Sequence, residues 1–269
     1  MTNEAFRAAA KKAGIFQVGF LDAAPFAPIL NTGFCSIVVA LFPYFAGEFP
    51  HANLSCYTFG EDYHRVVKRM LADAARLAGL SDFLVFADTG PHIEKQLAYL
   101  AGLGVLGMHS LLISPIYGSY CFIGYLLCNQ PFVPSHPLGH GCAMCGRCRA
   151  ACPGGAILGD GTIDAGRCLS FITQKKGALT PREQTLIAQS GCAFGCDICQ
   201  RVCPHNRAVL PTHIRAFSDG LITRMDADTL APLSNRQFMK IYGNRAFSWR
   251  GKAVLERNLR YIKPPFSEY

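Results

Sequence analysis

The sequence predicts an α+β protein in three parts: a mixed α/β domain over residues 1–138, a small cysteine-rich domain over 139–210 and a short helical segment over 211–269. Three observations carry this. Apolar runs of strand length alternate with helix-spaced segments through the first half. Nine of the 13 cysteines crowd between Gly141 and Leu210. The last stretch is polar and basic, with Arg236, Lys240, Arg245, Arg250, Lys252, Arg257 and Arg260.

The chain opens on MTNEAFRAAAKKAG, an amphipathic helix whose early acid and late lysines suit its dipole. SIVVALFPY (Ser36–Tyr44) and FLVFAD (Phe83–Asp88) have the length and composition of buried strands, as does SYCFIGYLLC (Ser119–Cys128). Asp62–Leu77 and Ile93–Ala101 have helical spacing. Pro131, Pro134, Pro137 and Gly139 mark a linker. Half of the residues are hydrophobic and 16% are charged, which excludes a disordered chain. The net charge of +8 favours a polyanionic partner such as nucleic acid. No secretory leader is visible, and the longest apolar runs, Ser36–Phe45 and Ser110–Cys128, are broken by Pro, Gly or Tyr. The expectation is therefore no membrane span and a cytoplasmic location, where clustered cysteines point to metal rather than to disulfides.

CAMCGRCRAACP supplies Cys142, Cys145, Cys148 and Cys152 ahead of Pro153, the C-x2-C-x2-C-x3-C-P run of bacterial ferredoxins. Such spacing wraps three thiolates round one cubane and sends the fourth to its neighbour. CDICQRVCP adds Cys196, Cys199 and Cys203 ahead of Pro204, so the two halves echo each other. Reciprocity assigns Cys142, Cys145, Cys148 and Cys203 to one [4Fe–4S] cluster. It assigns Cys152, Cys196 and Cys199 to a second, whose last ligand is Cys168 or Cys192; spacing alone does not decide. Zinc also takes four thiolates, but the x2-x2-x3-Pro run is far more typical of cubanes. Cys35, Cys56, Cys121 and Cys128 lie in apolar stretches and read as buried free thiols.

Seven ordered blocks span nearly the whole chain. They are YTFGEDYH (Tyr57–His64), DTGPHIEK (Asp88–Lys95), AGLGVLG (Ala101–Gly107), YGSYCFIG (Tyr117–Gly124), RCLSFITQKKG (Arg167–Gly177), GCDICQRVCPHN (Gly195–Asn206) and SWRGKAVLERN (Ser248–Asn258). Together they resemble the cobalamin-dependent epoxyqueuosine reductases. The resemblance implies a cobalamin-binding first domain, two [4Fe–4S] clusters, and a basic surface that receives the anticodon loop of tRNA. The implied reaction removes the epoxide oxygen of epoxyqueuosine at the wobble position, giving queuosine. Electrons would come from an external donor such as a flavodoxin or ferredoxin. Asp88 matches the family's catalytic acid, and Cys168 its isolated cluster ligand. Ser55, Leu112, Ile123 and Leu126 fall where the family contacts the corrinoid, partly through backbone atoms, and Ser170, next to Cys168, is a further candidate. Lys175 and Lys176 are candidate phosphate contacts, and Tyr63 and His64 candidate pocket residues. A carboxyl group facing an apolar corrin pocket should have its pKa raised by desolvation, which would suit a general acid. Read by itself, Asp88 is also a fitting helix N-cap ahead of Pro91.

Three features depart from the family pattern. Its members usually continue into a C-terminal helical-repeat segment after the Arg-Asn pair, here Arg257 and Asn258, so the chain reads as a short form. The stretch between Phe20 and Ser36 is short and lacks a basic segment. Gly107, Met108 and His109 stand where the family often has Gly-Lys-Asn. These departures keep two alternatives open: a corrinoid iron–sulfur reductase acting on a small molecule, as reductive dehalogenases do, and an electron-transfer module without a substrate of its own.

Overall fold

In chain order the first half runs α1 (Asn3–Lys12), β1 (Gln17–Asp22), β2 (Ser36–Pro43), α2 (Tyr63–Leu77), β3 (Phe83–Phe86), α3 (Glu94–Leu100), β4 (Val105–Leu106), β5 (Leu112–Ile113) and β6 (Cys121–Cys128). This computed structural model describes residues 1–26, 28 and 33–262. The expected opening helix, the strands at β2, β3 and β6, and the helices α2 and α3 are all present within a residue or two of their predicted limits. Strand β1 is an addition. It forms one edge of an antiparallel sheet ordered β1–β2–β6–β3, in which Val38 faces both Phe20 and Leu126.

All eight residues of β2 are buried because both faces of the sheet are covered. On one face, Phe20, Val38, Ala40 and Leu126 pack beneath α1 and α2 through Phe6, Val66, Val67 and Leu71. On the other, Ile37, Val39, Leu41 and Leu127 pack against Leu97, Ala98 and Ala101 around α3. Gly124 lets α2 approach: a Cβ at that position of β6 would collide with Val67 Cγ1. The short hairpin β4–β5 lies beside α3.

The second half contributes α4 (Arg147–Ala151), α5 (Leu169–Gln174), α6 (Pro181–Ser190), α7 (Ile198–Arg201), α8 (Asn235–Tyr242) and α9 (Lys252–Leu259). The cysteine-rich segment is stitched to the first half. Leu54 pairs with Phe194, Ser55 N–H donates to Phe194 O (2.8 Å), and the buried Gln200 side chain donates to Ser119 O (2.9 Å). The C-terminal segment is helical as expected, but it is not a polar tail. Phe238, Phe247 and Leu255 have no exposed surface and share one core with Phe20 and Val66. Its basic residues hid that apolar face from a composition reading, and Arg236 and Lys240 do stay exposed.

The Arg-Asn pair clamps the cysteine-rich segment. Asn258, fully buried on α9, donates from Nδ2 to Thr173 O (2.7 Å) and Ala193 O (2.8 Å). Arg257 Nη1 donates to Lys175 O and Gly177 O, each at 2.7 Å. Asn258→Ala leaves two buried carbonyls unpartnered. We expect a loss of about 2–3 kcal/mol, read as a lowered midpoint in denaturant unfolding of the holoprotein. An unchanged midpoint would remove the clamp.

Candidate active site and cluster sites

The two cysteine runs form two rings. Gly146, at φ 74°, turns the chain into α4, which carries Cys148, and Cys152 closes that helix in extended conformation ahead of Pro153. Helix α7 carries Cys199 and packs against α4. Cys142, Cys145, Cys148 and Cys203 line one small cavity with Met108, His109 and His205. Cys152, Cys168, Cys196 and Cys199 lie together on the wall of a second, much larger cavity. Cys192 is not among the residues lining either; its thiol lies within hydrogen-bonding reach of Cys196, and its Sγ meets Ser190 O at 3.8 Å.

Each ring fits a cubane better than a single ion. Zinc draws sulfurs in to about 2.3 Å. Among the described residues, no three Cys, His, Asp or Glu side chains converge tightly enough to hold one metal ion. Burial and the neighbouring Cys168 and Cys152 push the Cys199 thiol up to about 12. Ala156 N–H already points at Cys152 Sγ (3.2 Å), the kind of amide–sulfur bond that surrounds cluster thiolates. Of the other cysteines, Cys56 and Cys128 are buried as expected. Cys35 is exposed, and Cys121 is half-buried on the wall of the larger cavity, both contrary to expectation.

The larger cavity, ≈ 610 Å³, lies between the sheet and the cysteine-rich segment. Leu112, Phe122, Ile123 and Leu169 give it apolar walls, while Tyr57, Tyr63, Asp88, His92 and Ser170 place polar groups among them. His92 Nε2 on this wall is buried without a partner among the described residues. An apolar hollow with a few waiting polar groups could take a large, flat macrocycle fringed with amides.

Asp88 follows β3 in the left-handed region, at φ 62°, which is strained for a residue other than glycine. Three partners hold it. Its N–H donates to Glu94 Oε1 (2.5 Å), Tyr63 Oη donates to its Oδ2 (2.5 Å), and His64 Nε2 lies 3.1 Å from the same oxygen. His64 Nδ1 is 2.7 Å from Asp62 Oδ1, so an Asp62–His64–Asp88 chain leads to the cavity. The donors reverse the expected shift. The His64 hydrogen bond, followed by burial acting against it and the Tyr63 bond acting with it, leaves the Asp88 carboxyl below its ordinary range. His64, between two carboxylates, is lifted to about 9, and burial raises Glu94 to about 7. Near neutral pH the pair is therefore imidazolium and carboxylate. Asp88 is not a helix cap either, because α3 starts at Glu94 with Ile93 at its N-cap. With both ring nitrogens engaged, His64 offers no lone pair to a metal.

The remaining expected contacts divide. Leu112, Ile123 and Ser170 line the larger cavity. Ser55 does not: its hydroxyl bonds the buried Asp197 carboxylate, tying the first half to the loop that bears Cys196. Leu126 points to the opposite face of the sheet and is fully buried. Lys175 is half-buried and paired with Glu183 (2.5 Å), whereas Lys176 is exposed. Asp62, His92 and Glu94 escaped the sequence reading as separate site residues. The signal for Asp62 and Glu94 lay in EDYH and HIEK, where an acid next to a site residue doubles as a helix-starting one.

Comparison with known proteins agrees with this geometry. The 4Fe-4S double cluster binding domain matches residues 141–206. Epoxyqueuosine reductase of Lactococcus garvieae is 38% identical over 219 residues, 80% of this chain and 62% of that protein. The Cyclobacterium marinum epoxyqueuosine reductase is 32% identical over 253 residues, 87% of this chain and 78% of that protein. A crystal structure of epoxyqueuosine reductase with an epoxyqueuosine-modified tRNA-Tyr stem loop superposes with a TM-score of 0.84 at 27% identity, covering 96% of this chain and 80% of that one. The chain thus spans about three fifths of the first relative's length. Its fold and paired cysteine rings define a two-cluster iron–sulfur protein built round a ligand cavity. The chain belongs to the epoxyqueuosine reductase family.

Proposed function

We propose that the protein reduces epoxyqueuosine in tRNA to queuosine, using cobalamin and electrons relayed by two [4Fe–4S] clusters. One observation carries the reading: a single cavity has Asp88 and the ring of Cys152, Cys168, Cys196 and Cys199 on its walls. In the reaction both epoxide C–O bonds break and a C=C bond forms. Two electrons and two protons enter, and the oxygen leaves as water. Cobalamin, when bound, supplies the strongly reducing metal centre that this step requires. Leu112, Ile123 and Ser170 would hold it, while Ser55 and Leu126 support the walls from behind. Cys142, Cys145, Cys148 and Cys203 hold the outer cluster, and Cys152, Cys168, Cys196 and Cys199 the one beside the cavity. Electrons pass inward from an external donor, a flavodoxin or ferredoxin. The His64 imidazolium is the proton source: its proton passes to the Asp88 carboxylate, which hands it to the departing oxygen. Apolar walls exclude water that would otherwise compete for the electrons.

The substrate assignment draws on family membership and on the relative solved with a modified tRNA stem loop. The net charge of +8 suits an RNA partner, with exposed Lys176 as a phosphate contact. An enzyme acting on tRNA would work in the cytoplasm. No helix among the described residues is long and apolar enough to cross a membrane. The test is anaerobic reconstitution with iron, sulfide and cobalamin, then turnover of epoxyqueuosine-containing tRNA followed by nucleoside mass spectrometry. Queuosine should accumulate. Loaded protein that leaves the epoxide untouched would end the reading. Binding of the stem loop should also weaken with salt, by about 0.7 log units of affinity per log unit of salt for each released counterion. A flat profile would point instead to a small-molecule substrate.

A further inference from the structure

The cavity ringed by Cys142, Cys145, Cys148 and Cys203 has one non-cysteine side chain whose polar atom is left over. His109 is 4% exposed, and its Nε2 has no partner among the described residues. Leu111 N–H donates to its Nδ1 (3.2 Å), so the ring proton sits on Nε2. Gly107 makes room for this ring: a Cβ there would come within 2.6 Å of His109 Cε1. The imidazole is thus fixed in place with an N–H donor and nothing to receive it. Buried donors are almost always satisfied, so an orphan beside four cysteines calls for an acceptor in their midst.

We propose that His109 is a tuning residue for the outer cluster: its Nε2–H donates a hydrogen bond to a cluster sulfur and raises that cluster's reduction potential. This rests on the reading that the four cysteines hold a [4Fe–4S] cluster. A reduced cluster carries one more negative charge than an oxidised one, so a donor aimed at its sulfurs favours the reduced form. Of the other side chains on this wall, His205 is exposed to solvent. Met108, 8% exposed, shares a buried cluster with Cys148 and Ile157, against which Cys142, Cys152 and Cys199 pack, so an uncharged thioether sits among cysteines of both rings. A raised outer potential would make the outer cluster the collecting point for electrons arriving from the donor.

His109 also borders the larger cavity, so the experiment must identify the acceptor. The holoprotein is labelled with 15N-histidine, reduced and examined by pulsed EPR, then titrated potentiometrically beside His109→Phe and His109→Gln, with iron and sulfide measured for each. A 15N coupling to a reduced cluster should appear in the wild type and vanish in H109Q, which separates His109 from His205 on the same cavity wall. In H109F one of the two redox waves should move to lower potential, by about a tenfold change in the reduced-to-oxidised ratio, or about 59 mV for a one-electron couple. H109Q, which keeps an N–H donor, should lie between the two. Full iron content with both waves unmoved, or a coupling that persists in H109Q, overturns the proposal while leaving the clusters in place. A wild type that takes up no cluster iron overturns the cluster reading, and the proposal with it. If H109F alone fails to assemble, the labelled wild type and H109Q decide the matter.

Discussion

Asp88→Asn should lower kcat for epoxide reduction by about 10²–10⁴-fold while both clusters and the corrinoid stay bound. The variant keeps the size of the side chain and can still bond Tyr63 and His64, but an amide cannot take up the His64 proton and pass it on. The wild-type rate should also fall as pH rises through about 9, where His64 gives up the proton that recharges Asp88. Stability supplies a second readout. The folded His64 pKa is raised from an ordinary 6.5, so its contribution is fully present below about 6.5 and is lost as pH climbs through 9. In D88N one of the two carboxylates that raise this pKa is gone. Both the alkaline limb of the rate and the alkaline loss of thermal stability should move to lower pH. Undiminished turnover in D88N, with cluster spectra intact, would remove Asp88 from the chemistry. A lost rate with an unmoved His64 titration would separate Asp88 from His64.

How much of this was visible beforehand depends on whether the signal is local. The cysteine rings were legible because their ligands are mostly set by spacings of two and three residues, and β2 because a strand covered on both faces is apolar throughout. The carboxylate centre was legible only as a motif. Tyr63 and His64 start α2, Asp88 ends the β3 turn, and Glu94 starts α3; nothing in the chain says that these three ends meet. That meeting is also why the expected upward shift of Asp88 came out downward: desolvation can be guessed from an apolar strand, but two converging donors cannot. Where the Ser55 and Leu126 side chains point was hidden for the same reason. Each is close in sequence to a cavity-lining residue, Tyr57 and Ile123, yet its side chain is committed elsewhere. The C-terminal segment misled through composition, since its arginines outnumber the few aromatic residues that anchor it.

Cys168→Ala should halve the iron content, from about eight to about four per chain, whereas Cys192→Ala should leave it unchanged. Spacing gave both cysteines a claim on the second cluster; the local structure separates them. The turn before Cys168 is fixed by Asp164, whose Oδ1 accepts from Gly166 N–H (3.0 Å), and by Arg167, whose Nε donates to Gly154 O (3.2 Å). That second bond docks the turn two residues beyond Cys152. A side chain on Gly154 would collide with Arg167 O, so the approach is close as well as bonded. Cys168 is thereby delivered to the wall that carries Cys152, Cys196 and Cys199, while Cys192 packs against Cys196 and the Ser190 carbonyl. The cluster it would complete borders the cavity, so C168A should also lose turnover even though the outer cluster still accepts electrons. Iron and sulfide analysis with EPR spin counting reads both effects. If C192A were the variant that lost four irons and C168A kept all eight, the ring round the cavity would have to be redrawn with Cys192 in it, and the Arg167–Gly154 bond would be left as a loop contact with no bearing on the metal.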